Sequence, residues 1–406
     1  ALASYQEAVE VDRKIGDKHG LIQGLTSLGL LSLNHSKYDE ALQYTNEALQ
    51  IARDSHDESS QATLLMNIGI AHFSKGEYQD ALTYFQQAYE ISDRLKATEN
   101  QALSLHNLGL TNFSLGQFDT AVSQYMKALD ASRAAGDQSL LATVYSDMGS
   151  LFAIQGRYDA ALKAQKEAVD TFRKLNDRSY LMVWALAGYG EALSASGRED
   201  EGQKYIQEAL QLAPGANNFQ ATAAALNFMG DSFFYRGDYA SAKRQYDQAL
   251  QLATKQKVPD QVLQAKLGLA RLDVVQGRAQ AAIPALKNLS QEAEAIGLKA
   301  QSVTASVYLG EALLATNQVD AARDQLDRSV GRAEKLGLKV EQARAQYLLG
   351  AALAKAGKKQ EAIPHYRQAV NILESISKED GASRVLERSD LKDVYHDAAK
   401  GYQSGA

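Results

Sequence analysis

The stretch Leu64–Tyr89, LLMNIGIAHFSKGEYQDALTYFQQAY, decides the fold. Its first half sets Leu64, Leu65, Ile68 and Ala71 on one face at the three- and four-residue spacing of a helix. Its second half does the same with Ala81, Leu82, Phe85, Ala88 and Tyr89. Between them Gly76 is placed to close the first helix in the left-handed conformation. Two such helices joined by a tight turn cannot bury both apolar faces alone and need neighbours of the same kind.

Those neighbours follow in register. Gly69 lies 40 residues from Gly29 and from Gly109, and Gly149 comes 40 later; one extra residue then intervenes before Gly190, Gly230, Ala270, Gly310 and Gly350. Glycine is only 29 of 406 residues, so this register is not chance. Seven residues on stand Gly76, Gly116, Gly156, Gly197, Gly237, Gly277 and Gly357, with Ser36 and Asn317 in the first and eighth repeats. Twelve residues on stand Ala41, Ala81, Ala121, Ala161, Gly202, Ala242, Ala282, Ala322 and Ala362. Nineteen on, Ala48, Ala88, Ala128, Ala168, Ala209, Ala249 and Ala369 hold the register, with Leu289 and Ser329 in the seventh and eighth repeats. Small residues belong where two helix backbones approach closely. Tyr38, Tyr78, Phe118, Tyr158 and Tyr239 open second halves, and Asp39, Asp119 and Asp159 suit the positive end of the helix dipole there.

These Leu-Gly, aromatic and alanine positions resemble the tetratricopeptide repeat family in a 40-residue form with lengthened helices. The resemblance covers 1–373: an orphan second helix over 1–16, with Ala1 and Ala8 at its alanine positions, then nine helix pairs. It implies an all-α fold, a right-handed superhelical solenoid of stacked antiparallel helix pairs. Repeats seven and eight lack the aromatic (Ala279, Val319) and are expected to be less regular. Ala213–Asn218 reads as the longest junction and a mild bend, while Pro284 and Pro364, early in second helices, predict local distortion but not breakage. Residues 374–406 leave the pattern, and the helical spacing of Leu391, Val394, Tyr395, Ala398 and Tyr402 predicts a capping helix over Val385–Tyr402. The tail also resembles the ends of tetratricopeptide arrays fused to bacterial Ser/Thr kinases, although no kinase motif is present. Ala1 already sits inside a repeat, so the sequence reads as part of something longer.

Composition excludes several function classes. With no cysteine there is no disulfide framework, thiolate metal site or cysteine nucleophile, which fits a reducing compartment and a cytoplasmic protein. The net charge of -6 and the absence of a basic run argue against nucleic acid. No apolar run reaches the roughly 18 residues a membrane span needs; the richest is Tyr180–Gly190. The seven histidines never pair at helical metal-ligand spacing, and the glycines follow the repeat, so neither a metal nor a phosphate-bearing cofactor is expected. Glu191, Asp231 and Glu311 recur after the register glycine on successive hairpins and not as one catalytic pair, so no enzymatic residue is assigned. Trp184 reads as packing.

In the family the first helices line the concave side, which suits an extended peptide or partner helix. Read that way, Asn67 and Asn107 resemble the asparagines with which relatives clamp a peptide backbone, and Asp147 replaces them in the next repeat. Phe73, Phe113, Asn227, Asp231, Tyr235 and Arg271 complete the candidate groove residues, aromatic and arginine side chains being the usual hot-spot types. The expected function is a scaffold that holds a protein or peptide in the concave groove. The alternative is a sensory or regulatory region of a larger bacterial signalling protein, a Ser/Thr kinase or transcription activator. Self-association through the orphan helix is a further expectation.

Overall fold

Each half of the repeat becomes one helix. The computed structural model describes residues 2–35, 37–216 and 218–403; Ala1, Ser36 and Asn217, which the repeat reading uses, lie outside the described residues. Every regular element among the described residues is a helix, with no strand among them. By compactness the chain divides into an N-terminal unit, Ala1–Val144, and a C-terminal unit, Tyr145–Ala406. Residues beyond 373 thus belong to the same compact body as the repeats before them.

The N-terminal unit holds α1 (Leu2–Ile15), then the pairs α2 (Lys18–Asn34) with α3 (Tyr38–Asp54), α4 (Glu58–Ser74) with α5 (Tyr78–Leu95), and α6 (Thr98–Ser114) with α7 (Phe118–Ala135). Helix α8 (Gln138–Ile154) contains the division. The C-terminal unit continues with α9 (Tyr158–Lys174), α10 (Tyr180–Ala195), α11 (Glu199–Ala216), α12 (Phe219–Arg236), α13 (Tyr239–Gln256) and α14 (Pro259–Val275). It ends with α15 (Ala279–Ala295), α16 (Lys299–Ala315), α17 (Val319–Leu336), α18 (Lys339–Lys355), α19 (Lys359–Ser377) and α20 (Lys392–Gln403). Within each unit, first helices pack directly on one another: α2 on α4 and α4 on α6, and α10 through α12, α14 and α16 to α18. Elements that approach most closely lie inside a curved stack, so the first helices form the inner layer.

The register glycine has a packing role that its spacing alone does not reveal. A Cβ on Gly69, Gly109, Gly230, Gly310 or Gly350 would fall 2.5–2.8 Å from the side chain sixteen residues later: Phe85, Tyr125, Tyr246, Leu326 or Tyr366. The first helix is cut away there so that a large residue of its partner can be buried, and Phe85, Tyr125 and Tyr246 are 1%, 0% and 0% exposed. The second glycine ends the first helix as expected, with φ +80° at Gly76, and Asn317 takes the same conformation in repeat eight with φ +63°.

Helices α15 and α19 run unbroken through Pro284 and Pro364, as expected. Three local expectations change. Repeats seven and eight keep full-length helices without the opening aromatic, and Leu286 and Leu326, sixteen residues after the register position, are buried there. Helix α11 runs through Pro214 to Ala216, which shortens the expected junction. The C-terminal helix begins at Lys392 and not at Val385; Val385–Glu387 forms one 3-10 turn, and Arg388 is extended at φ -55°, ψ 136°. The physical reason lies at Ser389 and Asp390, whose amide and carbonyl bond to Tyr235 and Arg344 of the repeats while the neighbouring amides close local turns. At the other end, α1 leaves Leu2, Tyr5, Val11 and Ile15 40–69% exposed.

Candidate functional site

The residue just after the register glycine points to the inner side of the stack. In the C-terminal unit this position carries Glu191, Asp231, Arg271 and Glu311. Asp231 on α12 accepts hydrogen bonds from Tyr246 Oη at 2.7 Å and from Arg271 Nη1 on α14 at 2.9 Å. The Asp231–Arg271 pair is nearly excluded from water, with side chains 7% and 8% exposed. The Arg271 guanidinium lies 4.2 Å from the Phe234 ring centroid and 5.9 Å from that of Tyr235. Three candidate residues, Asp231, Tyr235 and Arg271, therefore meet in one cluster. Asn227 faces the neighbouring helix: its Nδ2 donates to Gln261 Oε1 at 3.0 Å and to the Gln261 carbonyl at 3.2 Å, tying α12 to α14.

Residues 378–391 run across this face, and none of them entered the candidate list. Arg388 is 3% exposed. Its guanidinium stacks 3.7 Å from the Tyr235 centroid and donates from Nη1 to the Ala195 carbonyl at 2.7 Å and to Tyr158 Oη at 3.2 Å. Nε and Nη2 donate to the two Asp390 oxygens at 3.0 and 2.9 Å, a bidentate pair. The Ser389 amide donates to the Tyr235 carbonyl at 2.7 Å, and its hydroxyl to the Phe234 carbonyl at 2.7 Å. Arg344 on α18 donates from Nη2 to the Asp390 carbonyl at 3.1 Å. Upstream, Glu379 accepts from the Asp159 amide at 3.3 Å and from Lys339 Nζ at 3.0 Å. A Cβ on Gly197, at φ +89°, would run into the Arg384 carbonyl, so the segment's backbone lies directly on the turn after α10.

The charges on this face constrain one another. Burial, together with the neighbouring Asp231 carboxylate, pushes the Glu191 carboxyl up to about 8, against a smaller opposing pull from Arg388. Glu191 and Asp231, expected to be independent on successive hairpins, are thus electrostatically linked. Burial also raises Glu341, against its own backbone amide and Thr304. For Asp390 burial acts upward, but Arg388 and Arg344 outweigh it and hold the carboxyl below its usual range. The arrangement binds guanidinium, carboxylate and peptide backbone on a face of tyrosine rings.

The remaining candidates do not join this cluster. Asp147 is half-buried on α8. In the N-terminal unit, Asn67 is 7% exposed and its Nδ2 has no hydrogen-bond partner. Asn107 is half-buried. Phe73 and Phe113 pack on the opening aromatic of their own second helix, 5.2 Å from Tyr78 and 5.6 Å from Phe118. The position after the register glycine here carries Leu30, Ile70 and Leu110; Leu30 is 43% exposed and the other two are half-buried. Away from the inner face, His72 Nδ1 lies 2.7 Å from Glu77 Oε2, with Asp80 close by, a grouping that a search for paired histidines misses. Lys75 Nζ, 3.0 Å from Glu77, already balances that carboxylate.

Comparison with known proteins follows the same lines. The tetratricopeptide repeat model matches residues 60–134, 100–174, 140–215, 181–255 and 301–375, and a second tetratricopeptide repeat model matches 229–288. Residues 23–70 match the model of anaphase-promoting complex subunit 5. No curated protein sequence matches. Among solved structures, a Rap protein complexed with competence and sporulation factor is similar with a TM-score of 0.65 at 14% identity, over 88% of this chain and 99% of that one. The apo form of RapI is similar with a TM-score of 0.54 at 13% identity, over 74% and 99%. At these identities the likeness is one of fold.

Proposed function

Because this chain belongs to the tetratricopeptide repeat family, we propose that it is a scaffold whose N-terminal unit holds an extended segment of a partner protein on its inner face. One observation carries the reading. In the C-terminal unit the register position after the glycine underlies residues 378–391, a non-helical stretch of successive turns gripped by backbone and side-chain hydrogen bonds. The same register in the N-terminal unit offers Leu30, Ile70 and Leu110, apolar and partly open to water. A row of apolar steps, one per hairpin, suits alternate side chains of an extended segment. The buried, unpartnered Nδ2 of Asn67 beside that row is a donor that a backbone carbonyl would satisfy, and leaving it unmet costs about 1–3 kcal/mol.

Peptides selected from a displayed library against the whole chain test this, with affinities measured by calorimetry. Leu110→Glu, and separately Asn67→Ala with Asn107→Ala, are expected to weaken the selected peptides at least ten-fold while helicity stays unchanged. Unchanged affinity in both variants would remove the N-terminal inner face from the account.

A further inference from the structure

In several hairpins the residues three and eight after the register position meet across the turn and fasten it. In the fourth repeat Arg157 lies over the Phe152 ring, 4.3 Å from its centroid, and in the seventh Arg278 Nε donates to Asp273 Oδ1 at 2.8 Å. In the second repeat the pair is His72 and Glu77, with Nδ1 2.7 Å from Oε2. Eleven residues after the glycine this repeat adds Asp80, where the fourth and seventh have Ala160 and Ala281. Of the nine repeats, the second alone has a histidine or a carboxylate at all three positions.

The three side chains converge. One ligand atom from each of His72, Glu77 and Asp80 lies within 4.8 Å of the other two. A tetrahedral zinc centre with bonds of about 2.0–2.2 Å sets its ligand atoms roughly 3.3–3.6 Å apart. The His72–Glu77 contact has only to open slightly, and Asp80 to close in, to reach that spacing. The imidazole is held in place by stacking on Tyr84, with centroids 5.1 Å apart and planes 6° apart. His72 first, and then Lys75, hold the Glu77 carboxyl below its usual range, so it stays ionised. Lys75 Nζ occupies the other Glu77 oxygen, Oε1, at 3.0 Å and reaches Asp39 Oδ1 at 2.9 Å. Three carboxylates, Asp39, Glu77 and Asp80, against one ammonium leave two negative charges, the charge that a divalent cation balances.

We propose that His72, Glu77 and Asp80 form a zinc site at the turn of the second hairpin, the metal entering between His72 Nδ1 and Glu77 Oε2, with the ring proton on Nε2 and water completing the coordination. A nitrogen ligand with two carboxylate oxygens selects zinc over magnesium and calcium, which take oxygen ligands. Bound there, the metal ties the end of α4 to the start of α5. The site lies away from the inner face, and neither assignment depends on the other.

Zn2+ titrated by calorimetry into the whole chain at neutral pH is expected to bind at one site per chain, without displacement by Mg2+, and to raise the unfolding temperature. Asp80→Asn alters an exposed residue that the fastening pair does not use, and is expected to weaken Zn2+ at least ten-fold while leaving the metal-free unfolding temperature unchanged. His72→Gln keeps a donor for Glu77 but removes the imidazole, and is expected to weaken Zn2+ at least ten-fold as well. Lys75→Gln removes the competing cation and is expected to tighten it several-fold. Absence of Zn2+ binding to the unaltered chain, unchanged affinity in either Asp80→Asn or His72→Gln, or no tightening in Lys75→Gln overturns the proposal.

Discussion

Glu191 shows how much one position can report. Its carboxyl, raised from an ordinary 4.5 to about 8, keeps a proton in the folded chain that the unfolded chain releases. Stability from this proton is complete below about pH 4.5 and is lost as pH rises through about 8. Glu191→Gln is therefore expected to match the unaltered chain at pH 5 and to exceed it at pH 9, by on the order of 1–3 kcal/mol in urea unfolding. Parallel stability curves at the two pH values would refute the burial of this group. The sequence marks Glu191, Asp231 and Arg271 as inner-facing by their place after the glycine, but it does not show that their charges meet. Distance across hairpins depends on how tightly first helices stack, and residue spacing carries no record of that.

At the scale of the element, the hairpin was legible because its constraints are on residue size and repeat every 40 positions. Glycine at the crossing, glycine or asparagine at the turn and alanine at the close approaches are all choices that chemistry restricts. The position sixteen after the glycine was not legible, since Thr45, Phe85, Tyr125, Gln165, Ile206 and Tyr246 share no chemical type. What they share is the space that the glycine clears. Gly230→Ala is expected to destabilise by about 1–3 kcal/mol, because Tyr246 is fully buried, tied to Asp231, and also pressed by Gly268. Gly331→Ala, mid-helix in α17 with nothing within 4 Å of the added Cβ, is the matched control and is expected to stabilise by roughly 0.5–1 kcal/mol. Thermal unfolding reads both, and like signs for the pair would show that the glycine register is not a packing register.

At the scale of the molecule, each compact unit carries an inner face, and the two faces differ in what covers them. Periodicity delivered the repeats of both units. It could not deliver the covering segment, some of whose hydrogen bonds join residues as far as 155 and 230 positions apart, Ser389 with Phe234 and Arg388 with Tyr158. Helical spacing over Val385–Tyr402 was overridden at Ser389, whose amide bonds to Tyr235 in place of a helical partner, while the neighbouring amides close local turns. The central claim is that a non-helical stretch of chain, folded as successive turns, lies on the inner face of the C-terminal unit. The chain has no cysteine, so a single engineered pair reports on it without competition. A Cβ at Gly237 would stand 3.4 Å from that of Ser389, close to the roughly 3.5–4.5 Å that a disulfide spans. With Gly237→Cys and Ser389→Cys together, mild oxidation should give a monomer that has lost two thiol hydrogens and kept its helicity. Two free thiols in a folded chain, or links formed only between molecules, would contradict the account.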